Sequence, residues 1–589
     1  MPRLVTTALS ERIAEDEEIV LLGEWCRLYG SGDTARKNAP IVPYHWDDRE
    51  KLAKDFEYLQ RLNQTLLKDI AFALNKLHNL TYSDHYWHLL LGCWLNQFTT
   101  VLYDRWSCLQ SAIKSFGELK SSVKPFAEDL LIPQDTGTAL SFFLQDWWNH
   151  ALISVLMREF AQFEVTCDGE NDFLRKPGVV KKNEIESHRR VLKRWFKRKI
   201  LELLSLALRW NKYSLYYPGL SFRQEIVACA RLGTMPHLMR FPELGPAAAN
   251  MDFRKWSLTP RRAEGSFGKV VRSLVPLLIP KIFLEGYSEA RELASMEGQP
   301  KRVRSIFSCT SHFTDDVFKI WAAGQREGGA RLVVGQHGGG AFHRFNGMTS
   351  YELSVCDTYV STGDGNCHID PRIKDVGRFN NRLALNAWKP DGHGILVTVA
   401  MPRYAADVRA MPLAGQMLAY FDDQYAFYEK LQPRIRETTF VRIYPKDYGW
   451  DQKGRWLKRF PDVLLDEGEE PMRKKVACSR LFISTYNATT YNETLAANIP
   501  TVMYWDENYW ELSQAAKPWF NQLKAVGIFH GSPDSAALHV NAIWDDVGQW
   551  WYSAEVQHVR NEFCRRFAHL SPCVLKKLVY VIKSASAKR

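Results

Sequence analysis

The sequence predicts an α/β protein with two Rossmann-like halves facing a cleft and a large helical insertion in the N-terminal half. Three observations predict it. Strand and helix patterns alternate with short connections from about 302 to 361, which is the signature of parallel βαβ units. A run of turn formers from Trp388 to Gly394 then breaks the pattern, and a second alternation fills 395 to 504. Ahead of both, residues 49 to 215 carry helical periodicity instead. At 589 residues, with 46% hydrophobic and 24% charged residues, the chain has a globular composition and is too long for one core.

Taken in order, Leu4–Thr7 and Ile19–Gly23 read as the first strands of a sheet. Residues 48–78 place Leu52, Phe56, Leu59, Leu62, Leu66, Ile70 and Leu74 near the 3.6-residue period, so they read as one long amphipathic helix. Helical stretches around 86–116 and 138–162 follow, and the insertion is placed at about 49–290. Arg302–Cys309, Ala330–Gln336 and Asp357–Ser361 read as strands, with Asp315–Gly328 as a helix between the first two. The N-terminal half is therefore 1–388. Strands at Ile395–Ala400, Phe440–Tyr444, Val463–Leu465, Leu481–Ser484 and Thr501–Tyr504 build the second half, 389–555, and 556–589 reads as a helix and polar tail. Such halves bind ligands at the carboxyl ends of their strands.

No stretch of 18 apolar residues is present, and the first residues lack a signal peptide's apolar run, so a cytoplasmic protein is expected. The eleven cysteines lack paired or metal-ligand spacing and read as reduced thiols. The net charge of +11 is concentrated: eleven Lys/Arg lie between Arg175 and Lys199. The basic segment 175–201 suits peripheral contact with an anionic membrane at its inner face, and suits equally a solvated basic face over the core. No zinc finger, RRM signature or heptad-linked basic region points to nucleic acid.

Three constellations can carry chemistry. Gln336-His337-Gly338-Gly339-Gly340 directly follows a strand, so the imidazole of His337 reaches the cleft while the glycines let a ligand approach backbone N–H groups. A histidine there can take a proton from an acceptor hydroxyl near neutral pH. Glu352, fifteen residues on, can orient His337 or act as the base itself. At the next strand end, Arg442 and Lys446 can neutralise a phosphate and Tyr448 can stack on a base or sugar. Finally, Ser484, Thr485, Tyr486, Asn487, Thr489 and Thr490 run from a strand end into a helix start, an arrangement suited to anions, with Glu493 placed for ribose hydroxyls. No metal site is expected: Asp315-Asp316 reads as helix capping, and no Asp-x-Asp motif ends a strand. GxGxxG, Walker A, HExxH and GxSxG are absent.

At these residues a resemblance enters. The blocks LVTTALSE, LLGEWCRLY, VPYHWDDREKL, LVVGQHGGG, RIYPKDYGWD, STYNATTYNETLAANIPTVMYWDENYWEL and GIFHGSPDSAALHVNAIWDD resemble a family of transferases encoded in bacterial O-antigen and surface-polysaccharide loci. More distantly the layout is similar to GT-B transferases of the capsule and teichoic-acid type. That resemblance implies a metal-independent glycosyltransferase without a cofactor. Its co-substrate would be a nucleotide-sugar donor, of the CMP-linked keto-sugar acid kind, and its acceptor a glycan or lipid-linked glycan. His337 would be the base, while 442–447 and 484–490 would hold the nucleotide phosphate. The chain departs from the pattern at Tyr444, where relatives carry histidine, at Ala341-Phe342-His343, and at Gly363-Asp364-Gly365. Those departures keep open a non-catalytic glycan- or nucleotide-binding assembly protein, and the layout also fits a polyol-phosphate transferase.

Overall fold

The computed structural model describes residues 1–9, 13, 17–30, 34–160, 163–167, 173–176, 210–237, 240–261, 264–296, 298–363, 370–379, 383 and 388–587. Three parallel sheets organise the chain. The first contains β1 (Arg3–Val5), β2 (Ile19–Leu21), β3 (Lys120–Val123) and β4 (Glu164–Cys167), in the order β2-β1-β3-β4. The second runs in chain order through β5 (Tyr213–Leu215), β6 (Ser305–Ser308), β7 (Arg331–Gly335), β8 (Thr358–Ser361) and β9 (Ile373–Asp375). The third holds β10 (His393–Val397), β11 (Thr439–Arg442), β12 (Leu464–Asp466), β13 (Ser479–Ser484), β14 (Thr501–Tyr504) and β15 (Phe529–His530), in the order β12-β11-β10-β13-β14-β15. Its strand order reverses beside β10, so a crevice opens at the carboxyl ends of β10 and β13.

The α/β class and the two Rossmann-like halves facing a cleft are present, as the second and third sheets. The first sheet was not expected as a separate body, and the stretch 49–290 holds β3, β4 and β5 besides its helices. These strands are three or four residues long and read Lys-Ser-Ser-Val, Glu-Val-Thr-Cys and Tyr-Ser-Leu, too short and polar to show against helical surroundings.

The helical expectation for 48–78 is realised as Arg49–Leu77, started by Asp48, whose side chain accepts from the Lys51 N–H. Leu52, Leu59, Leu62, Leu66, Ile70 and Leu74 are buried on one face, each contributing about 1.5–3 kcal/mol. That face packs on the 33-residue helix Asp84–Phe116, which is buried on most of its circumference and forms the centre of the core. From this helix Arg105 reaches into the third sheet's territory, donating to the Ala405 carbonyl at 2.7 Å and to Asn149 Oδ1 at 2.8 Å while paired with Asp104.

The end of the chain crosses back. Helix Val574–Ala587 packs on β6 and β7, and the Ser305 hydroxyl donates to the Ile582 carbonyl at 2.7 Å. The preceding turn donates its His569 N–H to Thr362 O and accepts the Arg378 N–H at its own carbonyl, at 2.8 and 2.7 Å. It therefore fixes the backbone just past β8 at Thr362 and past β9 at Arg378. Among the described residues no helix is long and apolar enough to cross a membrane. The basic segment lies outside the described residues except for Arg175 and Lys176.

Candidate active-site cleft

The loop leaving β7 is set by Gln336. Its Oε1 accepts from the Thr362 N–H at 3.1 Å, and its Nε2 donates to Gly338 O at 2.9 Å. The loop is thereby tied to the end of β8 and curled on itself. Gly338 has φ +77°, and a Cβ there would sit 2.7 Å from Thr489 Oγ1. A Cβ on Gly339 would lie 2.6 Å from Asn492 Nδ2 and 3.1 Å from Thr489 Cα. Only glycine lets the loop press this closely on the helix start of the other half, where the Gly339 N–H donates to Thr489 Oγ1 at 3.0 Å. Gly340 reaches the same wall near Asn487.

The structure thus joins two sequence motifs 150 residues apart. Between them lies a cavity of about 960 Å³. His337 and Gly338 wall it on one side, and Thr489, Thr490 and Glu493 on the other. His337 is exposed to this space and makes no hydrogen bond among the described residues. Helix Thr489–Ala496 begins at Ala488 without a side-chain cap, so its first N–H groups and positive dipole end are directed at the cavity rim.

Other members of the 484–493 run hold the wall in place. Thr485 donates to Val397 O at 3.0 Å and meets the Tyr420 hydroxyl at 2.5 Å, while the Ser484 hydroxyl donates to Tyr486 O at 3.3 Å. Both are buried, so they anchor β13 and do not face the ligand space expected for them. Tyr486 and Thr490 share a hydrogen bond of 2.7 Å between their hydroxyls. Asn487 accepts from the Tyr491 hydroxyl at 2.8 Å through Oδ1, leaving Nδ2 buried without a partner. His343, one of the departures after the glycines, lies with Nδ1 2.8 Å from the Tyr491 oxygen, and burial lowers its pKa to about 3. It is a neutral packing residue.

The remaining expectations are corrected by their partners. Glu352 is buried, with Oε1 3.2 Å from His312 Nε2 and Oε2 accepting from the Tyr359 hydroxyl at 3.3 Å. Helix Gly347–Val355 turns its Tyr351, Glu352 and Val355 face inward, so Glu352 does not hydrogen-bond His337. Arg442 donates from Nη1 to Asp466 Oδ2 and Glu470 O, both at 2.9 Å, and braces β11 against β12 and its following loop. The Lys446 ammonium sits 4.6 Å over the Tyr448 ring, which stacks on Tyr444 at 6.3 Å. None of these four residues belongs to the cavity wall among the described residues.

Sequence reading missed Arg378, which follows β9 and walls the cavity. Its Nη2 donates to Glu493 Oε1 at 3.1 Å, an ion pair that spans the two halves. The side chain is 6% exposed, Nε and Nη1 have no partner, and burial lowers its pKa against the pull of Glu493. Arg473, exposed ahead of β13, adds a second guanidinium at the rim.

One group among the described residues has metal-ligand spacing: His45, Asp104 and Cys108. The Asp104 carboxylate is already taken by Arg105, the Tyr44 hydroxyl at 2.7 Å and His45 at 3.2 Å, and Lys51 stands 3.4 Å from the other His45 nitrogen. Cations on both sides suit a structural network, not an ion. Asp315 caps its helix by accepting from Phe318 N at 3.0 Å, as its sequence position predicts. The ten described cysteines are free.

Two parallel-sheet halves with a glycine loop pressed on a helix start define a two-half α/β protein with a ligand cleft. The chain belongs to the LIC12162 family of transferases, which it matches over residues 2–582. Among solved structures it is similar to Acinetobacter baumannii MurG, with 11% identity, 65% of this chain and 96% of that chain covered, and a TM-score of 0.29. It is similar also to an alpha,alpha-trehalose-phosphate synthase (UDP-forming) from Burkholderia vietnamiensis, with 12% identity, 52% and 77% coverage, and a TM-score of 0.30. Comparison with curated proteins gives no match.

Proposed function

We propose that the protein is a glycosyltransferase that moves a sugar from a nucleotide-activated donor, of the CMP-linked keto-sugar acid class, to a surface-glycan acceptor such as O-antigen. The observation that carries this reading is the exposed His337 facing the uncapped start of helix Thr489–Ala496 across one cavity of about 960 Å³. A base and an anion-holding dipole on opposite walls are what displacement at a sugar carbon requires.

In this reading the acceptor hydroxyl gives its proton to His337 as its oxygen bonds to the anomeric carbon. The bond from that carbon to the phosphate oxygen breaks, and its electron pair leaves with the nucleotide. The N–H groups at the helix start stabilise the departing phosphate, which assigns the metal's usual part to the protein. The reaction is placed on the cytoplasmic side, peripherally at the inner membrane face for a lipid-linked acceptor.

The test is a thermal-shift screen with CMP, CDP, UDP, GDP and their sugars, with and without magnesium, followed by donor turnover. A ligand at about 100 times its Kd stabilises by roughly 2.7 kcal/mol. A magnesium-independent shift with a cytidine nucleotide, and a product heavier by one sugar, are expected. Tight nucleotide binding without turnover would instead make the chain a binding protein, and a product heavier by a polyol phosphate would make it a polyol-phosphate transferase.

A further inference from the structure

We propose that Arg378 is the anchor for an anionic oxygen group of the cavity's ligand, a phosphate or a sugar carboxylate, and that this group competes with Glu493 for the guanidinium. The inference rests on the reading of the cavity as the donor cleft and names a contact which that reading does not contain.

Structural guanidiniums elsewhere in the protein are paired at all or all but one of their nitrogens: Arg105 has oxygen partners at Nε, Nη1 and Nη2, and Arg272 and Arg560 each lack one partner. Arg378 is nearly as buried, yet two of its three nitrogens have none. A buried charged donor left unsatisfied is costly, and it persists where a ligand supplies the missing oxygens. The backbone of Arg378 is fixed by its N–H bond to His569 O at 2.7 Å, so the side chain is held at the cavity wall. The charge balance points the same way. Arg378 and Arg473 stand at the wall with Glu493 as the sole carboxylate among its described residues, and the uncapped helix start adds its positive dipole end. Such a site attracts an anion of two or more oxygens, which guanidinium groups bind well.

The experiment is calorimetric titration of the full chain with inorganic pyrophosphate and, separately, glucuronate. Arg378→Gln is expected to weaken the better-bound probe by about tenfold or more, the loss of one charge-assisted contact. Glu493→Gln is expected to tighten it by about threefold, because the competing carboxylate is gone. Preference for pyrophosphate identifies the anion as phosphate, and preference for glucuronate identifies it as a carboxylate. Binding of both probes by Arg378→Gln within about twofold of the parent, no binding of either by the parent, or weaker binding by Glu493→Gln would each overturn the proposal. Should Arg378→Gln not fold, Glu493→Gln decides alone. Arg378-dependent pyrophosphate binding in a protein that transfers no sugar would sink the glycosyltransferase reading and leave the anion site standing.

Discussion

Arg105 and Arg378 are guanidiniums sunk into the same protein, and their surroundings differ in kind. Around Arg105 every strong group is matched: Asp104 takes the charge, Tyr44 and His45 complete the carboxylate, and Asn149 and two backbone carbonyls fill the remaining donors. Around Arg378 the matching is incomplete. Two guanidinium nitrogens lack partners, and so do Asn487 Nδ2 and Asn492 Oδ1 at the neighbouring helix start. The first cluster joins a core helix to the third sheet, and its atoms serve stability. The second adjoins the cavity, whose wall Arg378 helps to form, so a ligand held there is the nearest source of the oxygens its guanidinium lacks.

Substitutions sharpen the contrast, and the largest effect belongs to the cleft. His337→Ala should lower turnover by about 10²–10⁴-fold, the range for a lost general base, with the melting temperature unchanged because the side chain makes no hydrogen bond. Initial rates beside a melting curve check both halves of that statement. Asp104→Ala should do the reverse. It strands the buried Arg105 and should cost roughly 3–5 kcal/mol in urea unfolding, with little change in the activity of the protein that remains folded. Acid sharpens the same point. Burial pushes the Asp104 carboxyl up, but Arg105, His45 and Tyr44 outweigh it and hold the pKa below the ordinary value. The stability Asp104 adds is therefore present above a pH of about 4 and lost as pH falls through the lower folded value, so Asp104→Asn should flatten that acid limb.

Smaller effects test the seam between the halves. Gly339→Ala forces a methyl to within 2.6 Å of Asn492 Nδ2 and 3.1 Å of Thr489 Cα, and should cost about 1–3 kcal/mol while weakening nucleotide binding. Thr489→Val removes the acceptor of the Gly339 N–H and should cost about 1 kcal/mol, read as a shift in the urea midpoint. An unchanged midpoint in both would break the claim that loop and helix start are one site.

Much of the fold was legible because apolar β-branched runs such as Leu-Val-Val and Ile-Leu-Val-Thr-Val sit between short turns. The first sheet was legible only in its apolar strands β1 and β2, since β3 and β4 are four residues long and carry Ser, Lys, Glu or Thr, and β4 has no buried residue at all. The glycine loop and the start of helix Thr489–Ala496 could be picked out because glycine triplets and hydroxyl runs are unusual at strand ends. Arg442 was read as a phosphate ligand because its sequence neighbourhood does not reveal Asp466, 24 residues on, which takes its charge. Arg378 was overlooked for the matching reason: β9 reads Ile-Lys-Asp, too short to announce that a strand end precedes it. In each case the deciding partner is distant in the chain.

The central claim is that the cavity between the glycine loop and helix Thr489–Ala496 receives the nucleotide donor. Hydrogen exchange of the full chain with and without the nucleotide that stabilises it most tests this directly. The account predicts slowed exchange at 336–340 and 487–493. Slowing confined instead to a second cavity, lined by Arg27, Tyr29, Arg36, Arg455, Lys458 and Arg459, or none at either place, would contradict it.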